Sequence, residues 1–364
     1  MISFVHTGDI HLGLQFNNVS FNREKAMLRR RELWSTFEGI VNYTKENSID
    51  FLLIAGDLFE EKYFTLGDIK RVRDILSNIE EVKVIISAGN HDYFYEKSLY
   101  NRVEWSPNVF IFRGNGLEKI EFPDLNTIIY GYSWDRVEIR ENNLFHDFNI
   151  EEDNDFNKIL LIHGDIGTKS NYLPLNLSSL KKLDMDYIAL GHIHKPEIID
   201  DKIAYCGCPE PLDFGEIGDR GFIKGEINRG KIEIDFVPFS KRRFWNKEII
   251  INENMSYLDI INLFKEIHYG RKDMDFYRIN LKGYIQNDID VDSLFKSIKD
   301  EFYHLEIIDN TIPDYDLDAL ENAYSDSIIG GFIREMKDKG FDNPMVKDAL
   351  YYGLGALLKG RVDS

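Results

Sequence analysis

Seven residues of this chain combine metal-ligating chemistry with a repeated placement: Asp9, His11, Asp57, Asn90, His163, His192 and His194. Each follows the end of a short apolar run. The first run leads into His6-Thr7-Gly8-Asp9-Ile10-His11, the second into Ala55-Gly56-Asp57-Leu58-Phe59, the third into Gly89-Asn90-His91-Asp92. Two later runs lead into Ile162-His163-Gly164-Asp165 and Gly191-His192-Ile193-His194, so five of the nine histidines stand at such ends. Carboxylate, imidazole and amide oxygen without thiolate suit Mn²⁺, Fe²⁺ or Zn²⁺ better than a structural cysteine–zinc site. In extended chain Asp9 and His11 point the same way and can chelate one ion; His192 and His194 do likewise, or serve two different ions. Asp57 offers a carboxylate able to bridge two cations. Two divalent ions about 3.5–4 Å apart can activate water and neutralise a phosphoryl group during in-line displacement.

Each fragment alone has a plainer reading. Asp-x-His fits a capped turn beside a surface histidine, and Gly-Asp or Gly-Asn-His-Asp fits a loop. The weight lies in their ordered conjunction at strand ends, the edge where open α/β sheets bind ligands. His6, inside the first run, reads as packed support, and His146, His268 and His304 have no comparable setting. Cys206-Gly207-Cys208 reads as a tight turn, because no second cysteine pair exists to complete a metal site. Two cysteines, no basic leader at the start and no apolar run near the ~18 residues of a membrane span point to a cytoplasmic protein.

The elements that must position these residues read as α/β. Near-continuous apolar runs predict strands at Ile2–Thr7, Phe51–Ala55, Val82–Ala88, Val109–Phe112, Thr127–Tyr132, Ile159–Ile162, Tyr187–Leu190 and Ile203–Tyr205. Helical spacing of apolar residues predicts helices over Arg23–Glu46 and Leu66–Ile79. Past the basic joint Ser240-Lys241-Arg242-Arg243, strands at Glu248–Asn252, Phe276–Lys282 and Leu305–Ile308 alternate with helices at Tyr257–His268 and Val291–Phe302. Two amphipathic stretches, Ser327–Lys337 and Asn343–Leu358, close the chain before Gly360. The 364 residues suggest two or three domains, and 43% hydrophobic with 29% charged residues excludes a disordered chain.

Asp9-Ile10-His11, Gly56-Asp57, Gly89-Asn90-His91-Asp92, His163 and Gly191-His192-Ile193-His194 together resemble the pattern of the calcineurin-like binuclear metallophosphoesterases. The match covers essentially residues 1–240. The opening His6 to Gly13, the run Ala55 to Phe59, and Tyr205-Cys206-Gly207-Cys208 with Leu212-Asp213-Phe214-Gly215-Glu216 narrow it. They are similar to the SbcD-type DNA repair exonucleases, and within them to the bacterial YhaO-like proteins. The resemblance implies an α/β layered sandwich for 1–240, with two central sheets flanked by helices. It also implies a small αβ capping domain at 244–310 and a helical segment at 311–364 that grips an SbcC-type, SMC-like coiled-coil ATPase. Two ions, usually Mn²⁺, would be held by Asp9, His11 and His194 on one side and Asn90, His163 and His192 on the other, with Asp57 bridging. His91 would donate a proton to the leaving oxygen or stabilise the strained phosphate, and Asp92 would orient His91 or cap the turn. Two positions depart from the family: Glu60 stands where many members carry a histidine, which weakens the exonuclease expectation, and Cys208 replaces a serine.

The expected function is therefore metal-dependent DNA hydrolysis in double-strand-break repair, with DNA and the ATPase as partners and a homodimer suggested by the family. The basic stretch Arg23 to Arg31 and the joint at 241–243 lean towards DNA. The alternatives are the same chemistry on cyclic or other small nucleotides, or a catalytically weak scaffold for an ATPase. The net charge of −19 excludes a generic DNA-coating protein and suggests weak DNA binding without a partner subunit.

Overall fold

The computed structural model describes residues 1–17, 21–114, 116–141, 144–145, 156–167, 170–286, 288–340 and 343–359; His146 and Gly360 lie outside them. The chain divides into a unit of Met1–Phe244 and a unit of Trp245–Ser364.

The first unit begins β1 (Ile2–Thr7), α1 (Arg23–Glu46), β2 (Phe51–Ala55), α2 (Leu66–Ser77), β3 (Lys83–Ser87), β4 (Val109–Ile111). It continues β5 (Glu118–Phe122), β6 (Thr127–Tyr132), β7 (Asn157–His163), β8 (Asp165–Ile166), β9 (Pro174–Leu175), α3 (Leu177–Leu180) and β10 (Tyr187–Gly191). It closes with β11 (Glu197–Asp200), β12 (Ile203–Tyr205) and the hairpin of β13 (Gly221–Asn228) and β14 (Lys231–Pro238). One six-stranded sheet has the order β14-β13-β1-β2-β3-β4 and the other β11-β12-β10-β7-β6-β5. The strands β1 to β4 pair in parallel, as do β6, β7, β10 and β12.

Side-chain alternation explains why these strands read as unbroken apolar runs. In β2, Leu52 and Ile54 join a core with Leu33, Phe37 and Ile40 of α1 and Ile69 and Val72 of α2. Phe51, Leu53 and Ala55 turn the other way, onto Ile159 and Leu161 of β7 and Ala189 of β10. Leu160 and Ile162 of β7 face a third cluster with Trp134 and Leu173. Both faces of the central strands are thus buried, which demands apolar residues at every position. The arrangement is the expected pair of central sheets with flanking helices.

Helix starts follow ordinary capping chemistry. Asn22 accepts the Lys25 N–H at the start of α1, and Thr65 with Asp68 forms a reciprocal capping box on α2.

The second unit contains β15 (Phe244–Ile251), which begins at the division, then α4 (Tyr257–Lys265), β16 (Phe276–Gln286), α5 (Val291–Ile298) and β17 (His304–Asp314). Three helices follow: α6 (Leu317–Ala323), α7 (Ile328–Lys339) and α8 (Pro344–Lys359). The sheet order is β15-β16-β17, and α4 and α5 contribute Ile260, Phe264, Leu294 and Ile298 to its core. The expected division at 310 falls inside β17, because parallel pairing with β16 runs on to Gln286 opposite Asp314. Among the described residues no helix is long and apolar enough to cross a membrane.

Candidate metal centre and active site

All seven candidate ligands belong to the first unit; six sit on the loops just past β1, β2, β3 and β10, and His163 is the last residue of β7. Asp9 and His11 are not in extended chain, as their spacing had suggested. β1 stops at Thr7, and Asp9 and His11 adopt φ of 48° and 51°. Asp57 (50°) and His192 (97°) are left-handed too. Each such non-glycine conformation costs on the order of 1 kcal/mol or more and persists only where the surroundings impose it. Here the loop after β1 is laced to the loop after β2: Asp9 N–H donates to Gly56 O at 3.0 Å, Ile10 and His11 N–H both donate to Asp57 O, and Leu12 N–H donates to Leu58 O. The strained turns aim the side chains of Asp9, His11 and Asp57 inward.

The two sheets meet at this edge more closely than a side chain allows. A Cβ on Gly191 would lie 1.8 Å from Ala55 O, and one on Gly56, at φ +89°, would lie 2.3 Å from His163 Nδ1. Glycine at both positions is a steric requirement of bringing the end of β2 against β10 and β7.

One carboxylate oxygen stands between two groups of donors. Asp57 Oδ1 accepts the His91 N–H at 2.9 Å, while Oδ2 lies 3.8 Å from His11 Nε2 and 3.5 Å from His163 Nε2. On one side His11 Nε2 and His194 Nε2 are 3.1 Å apart, and Asp9 Oδ1 is 3.9 Å from His194 Nε2. On the other His163 Nε2 is 3.0 Å from Asn90 Oδ1, and the His192 ring centroid is 5.1 Å from that of His163. Asp9, His11 and His194 could hold one cation, and Asp9, Asp57 and His163 present a second compact group.

The donor set fits divalent ions because the other ring nitrogens are already engaged. His11 Nδ1 is 2.8 Å from Glu60 Oε1, His194 Nδ1 is 2.5 Å from Glu216 Oε1, and His163 Nδ1 donates to Ala55 O at 2.8 Å. Carboxylates and carbonyls only accept, so each Nδ1 carries a proton and Nε2 is the ring atom left to ligate, the usual outer support of a ligating histidine. Burial lowers His194, but Glu216 and Asp9 outweigh it and raise the metal-free ring to about 9. Burial pushes the Asp57 carboxyl up, but His163, His11 and His91 outweigh it and hold the group at about 2. Asp9 is raised by burial, with His163 and His194 opposing. Burial and the neighbouring His163 lower His192 to about 3.

His91 differs from the ligands in exposure: its side chain is 43% accessible. Its Nδ1 is 3.0 Å from Glu60 Oε2, a hydrogen bond that raises it to about 9 against the effect of burial. Asp92 does not touch the His91 ring among its hydrogen-bonded partners. Its oxygens accept N–H from Asp57, Leu58 and Gly89 and the Tyr100 hydroxyl at 2.7 Å, so it caps the turn.

Sequence reasoning did not reach three contributors. Glu60 appeared only as a departure from the family, yet its two oxygens serve His11 and His91. Glu216, in the Asp213–Glu216 stretch, holds His194 and also accepts from Leu212 N–H and the Cys208 thiol. Tyr172 lies against His192, ring centroids 4.9 Å apart, and nothing in its sequence setting marks it. Cys206 and Cys208 are buried and unbridged around Gly207, whose φ of +70° makes the expected tight turn. Of the basic stretch, Arg23 and Arg31 are exposed and Lys25 and Arg30 half-buried, but one cation is withdrawn from the surface. Arg29 is fully buried and binds Glu32, Glu210 and the Pro211 carbonyl, and Arg242 shares Glu32 at 2.7 Å.

The model of the calcineurin-like phosphoesterases matches residues 2–196, more than half of the chain. The uncharacterized metallophosphoesterase YhaO of Bacillus subtilis (strain 168) is 30% identical over 249 residues, covering 65% of this chain and 60% of that protein. The aligned part thus spans about three fifths of the relative's length.

Proposed function

The chain belongs to the calcineurin-like phosphoesterases, and from that premise we propose that it is a two-metal phosphodiesterase acting on DNA ends together with a coiled-coil ATPase. Hydrolysis of phosphoester bonds is the chemistry of the family. The observation that carries the two-metal reading is the placement of Asp57 Oδ2 between His11 Nε2 and His163 Nε2.

In this reading Asp9, His11 and His194 would hold one ion and Asn90, His163 and His192 the other, with Asp57 shared between them. Divalent ions there, Mn²⁺ foremost, would supply activation of water and charge neutralisation of the phosphate. The chain's own residues do the rest. The His192 N–H donates to both oxygens of Asp9, at 3.1 and 3.0 Å, and fixes the plane of that carboxylate. Glu60 and Glu216 hold the His11 and His194 rings. His91, exposed and protonated through its bond to Glu60, delivers a proton to the leaving oxygen.

Support for DNA and for the ATPase comes from the resemblance of residues 6–13, 55–59 and 205–216 to the DNA repair branch. The unit after Phe244 supplies an αβ module and helices of the kind that branch uses for capping and partner binding. A homodimer belongs to the same reading. A second reading, hydrolysis of cyclic or other small nucleotides, is favoured by the burial of Arg29 and Arg242, which takes two cations out of the stretches that leaned towards DNA.

The test is hydrolysis by the purified chain, with and without Mn²⁺ and with and without the ATPase, on labelled single-stranded and duplex DNA, cyclic nucleotides and bis-p-nitrophenyl phosphate. Mn²⁺-dependent DNA cleavage enhanced by the ATPase is expected. Intact DNA with cleaved cyclic nucleotides selects the second reading. Bound Mn²⁺ with no turnover on any substrate selects a scaffold.

A further inference from the structure

Glu60 contacts two histidines with one carboxylate. Oε1 meets Nδ1 of His11 at 2.8 Å and Oε2 meets Nδ1 of His91 at 3.0 Å, with the two rings edge-to-face at 4.9 Å between centroids. Its backbone is pinned on both sides. The Glu60 N–H donates to Leu12 O at 2.9 Å, Glu61 N–H donates to His91 O at 3.2 Å, and the Tyr63 and Phe64 N–H groups donate to Glu60 O. The side chain is 13% exposed, so these contacts have little competition from water.

We propose that Glu60 is a positioning residue shared by two functions, one carboxylate oxygen orienting the metal donor His11 and the other orienting the proton donor His91. The proposal rests on the two-metal reading above. A carboxylate has acceptors only, so both Nδ1 atoms must donate to it. That leaves His11 Nε2 towards Asp57 and His194, and leaves His91 Nε2 as the ring nitrogen that Glu60 does not engage. The spacing of the two rings is set by one rigid carboxylate, so the metal donor and the proton donor keep a constant separation. Glutamine at this position has one acceptor and one donor group. It can satisfy one ring and must present N–H to the other.

The experiment compares the full chain with Glu60→Gln and Glu60→Asp, each alone and combined with His91→Ala. Mn²⁺ affinity of the metal-stripped protein is measured by calorimetry, and kcat and KM on bis-p-nitrophenyl phosphate separately. Loss of such an outer partner reduces metal affinity or activity by about 10–100-fold. Glu60→Gln is expected to weaken binding of one Mn²⁺ by that factor and to lower kcat with KM little changed. Glu60→Asp, which keeps both acceptors on a shorter arm, falls between the parent and Glu60→Gln; it also carries the test should the glutamine variant not fold. In the His91→Ala background the affinity loss persists while the further loss of kcat is smaller than in the parent. Parent-like affinity and kcat in Glu60→Gln, or kcat losses that multiply in full, overturn the shared role. A parent chain that binds no Mn²⁺ overturns the two-metal reading and this role together, so the two failures are distinguishable.

Discussion

His11 and His194 face each other with their Nε2 atoms 3.1 Å apart, and each commits its other ring nitrogen to a different carboxylate, Glu60 and Glu216. Burial lowers His194, but Glu216 and Asp9 outweigh it and raise the ring to about 9, so without a cation the two nitrogens share a proton while the carboxylates of Asp9 and Asp57 crowd the same site. A shared cation relieves all of this, so metal binding stabilises the fold. Mn²⁺ at about 100 times its Kd adds about 2.7 kcal/mol, which for a unit of this size raises the melting temperature by about 5–10 °C. Differential scanning fluorimetry with Mn²⁺ against a chelator checks it, and His194→Ala should lose most of the gain. Coincident melting curves for the parent would remove the metal from this pair.

His91→Ala separates chemistry from metal binding. The side chain is 43% exposed, so its removal opens no core cavity. Loss of a positioned general acid costs about 10²–10⁴ in kcat, while Mn²⁺ content should match the parent. Turnover at the parent rate would take His91 out of the mechanism.

The ligand candidates were legible because each ends or follows a largely buried strand, as in β2, where Phe51 to Ala55 must be apolar throughout and the next polar residue stands out. Their supports were not. Glu60 and Glu216 are two of 63 acidic residues, and only the folded chain brings them onto His11 and His194. The hairpin β13–β14 also escaped a search for continuous apolar runs. The strand β14 alternates as Ile232, Ile234 and Phe236 against Lys231, Glu233 and Asp235, and Arg229-Gly230, both at positive φ, makes its turn. A period-two search would find it. Left-handed Asp9 and His11 could not be foreseen, since it is lacing to the Asp57 loop that imposes the turn.

Arg29 is the one cation of the basic stretch that composition could not place, because Arg23 and Arg31 are exposed and Arg29 is not. It is fully buried, binding Glu32 one turn along α1 and Glu210 on the loop after β12, while Glu210 also accepts from Thr36. Burial raises the Glu210 carboxyl, with Arg29 the leading opposing charge. Arg29→Ala leaves that carboxyl uncompensated and should cost about 3–5 kcal/mol, whereas Arg140→Ala, which breaks the exposed pair with Glu138, should cost about 0–1 kcal/mol. Urea unfolding of both variants measures the difference. Equal losses would show that the buried network carries no special weight.

His6 gives the fold an acid-side limit independent of turnover. It is fully buried, its Nδ1 2.8 Å from the Tyr187 hydroxyl, and burial holds it at about 3, with the Leu190 backbone opposing. In the unfolded chain it titrates near 6.5, so below that pH the unfolded state binds a proton that the folded state refuses. The stability tied to neutral His6 is fully present above pH 6.5 and falls as pH drops from 6.5 towards 3. Each pH unit in that window removes about 1.4 kcal/mol. His6→Gln keeps a polar partner for Tyr187 and has no proton to gain. Urea unfolding at pH 8 and pH 5 should therefore show the parent losing about 2 kcal/mol more than His6→Gln. Parallel losses in the two proteins would mean that His6 accepts a proton in the folded state, and that the packing around Tyr187 tolerates the charge.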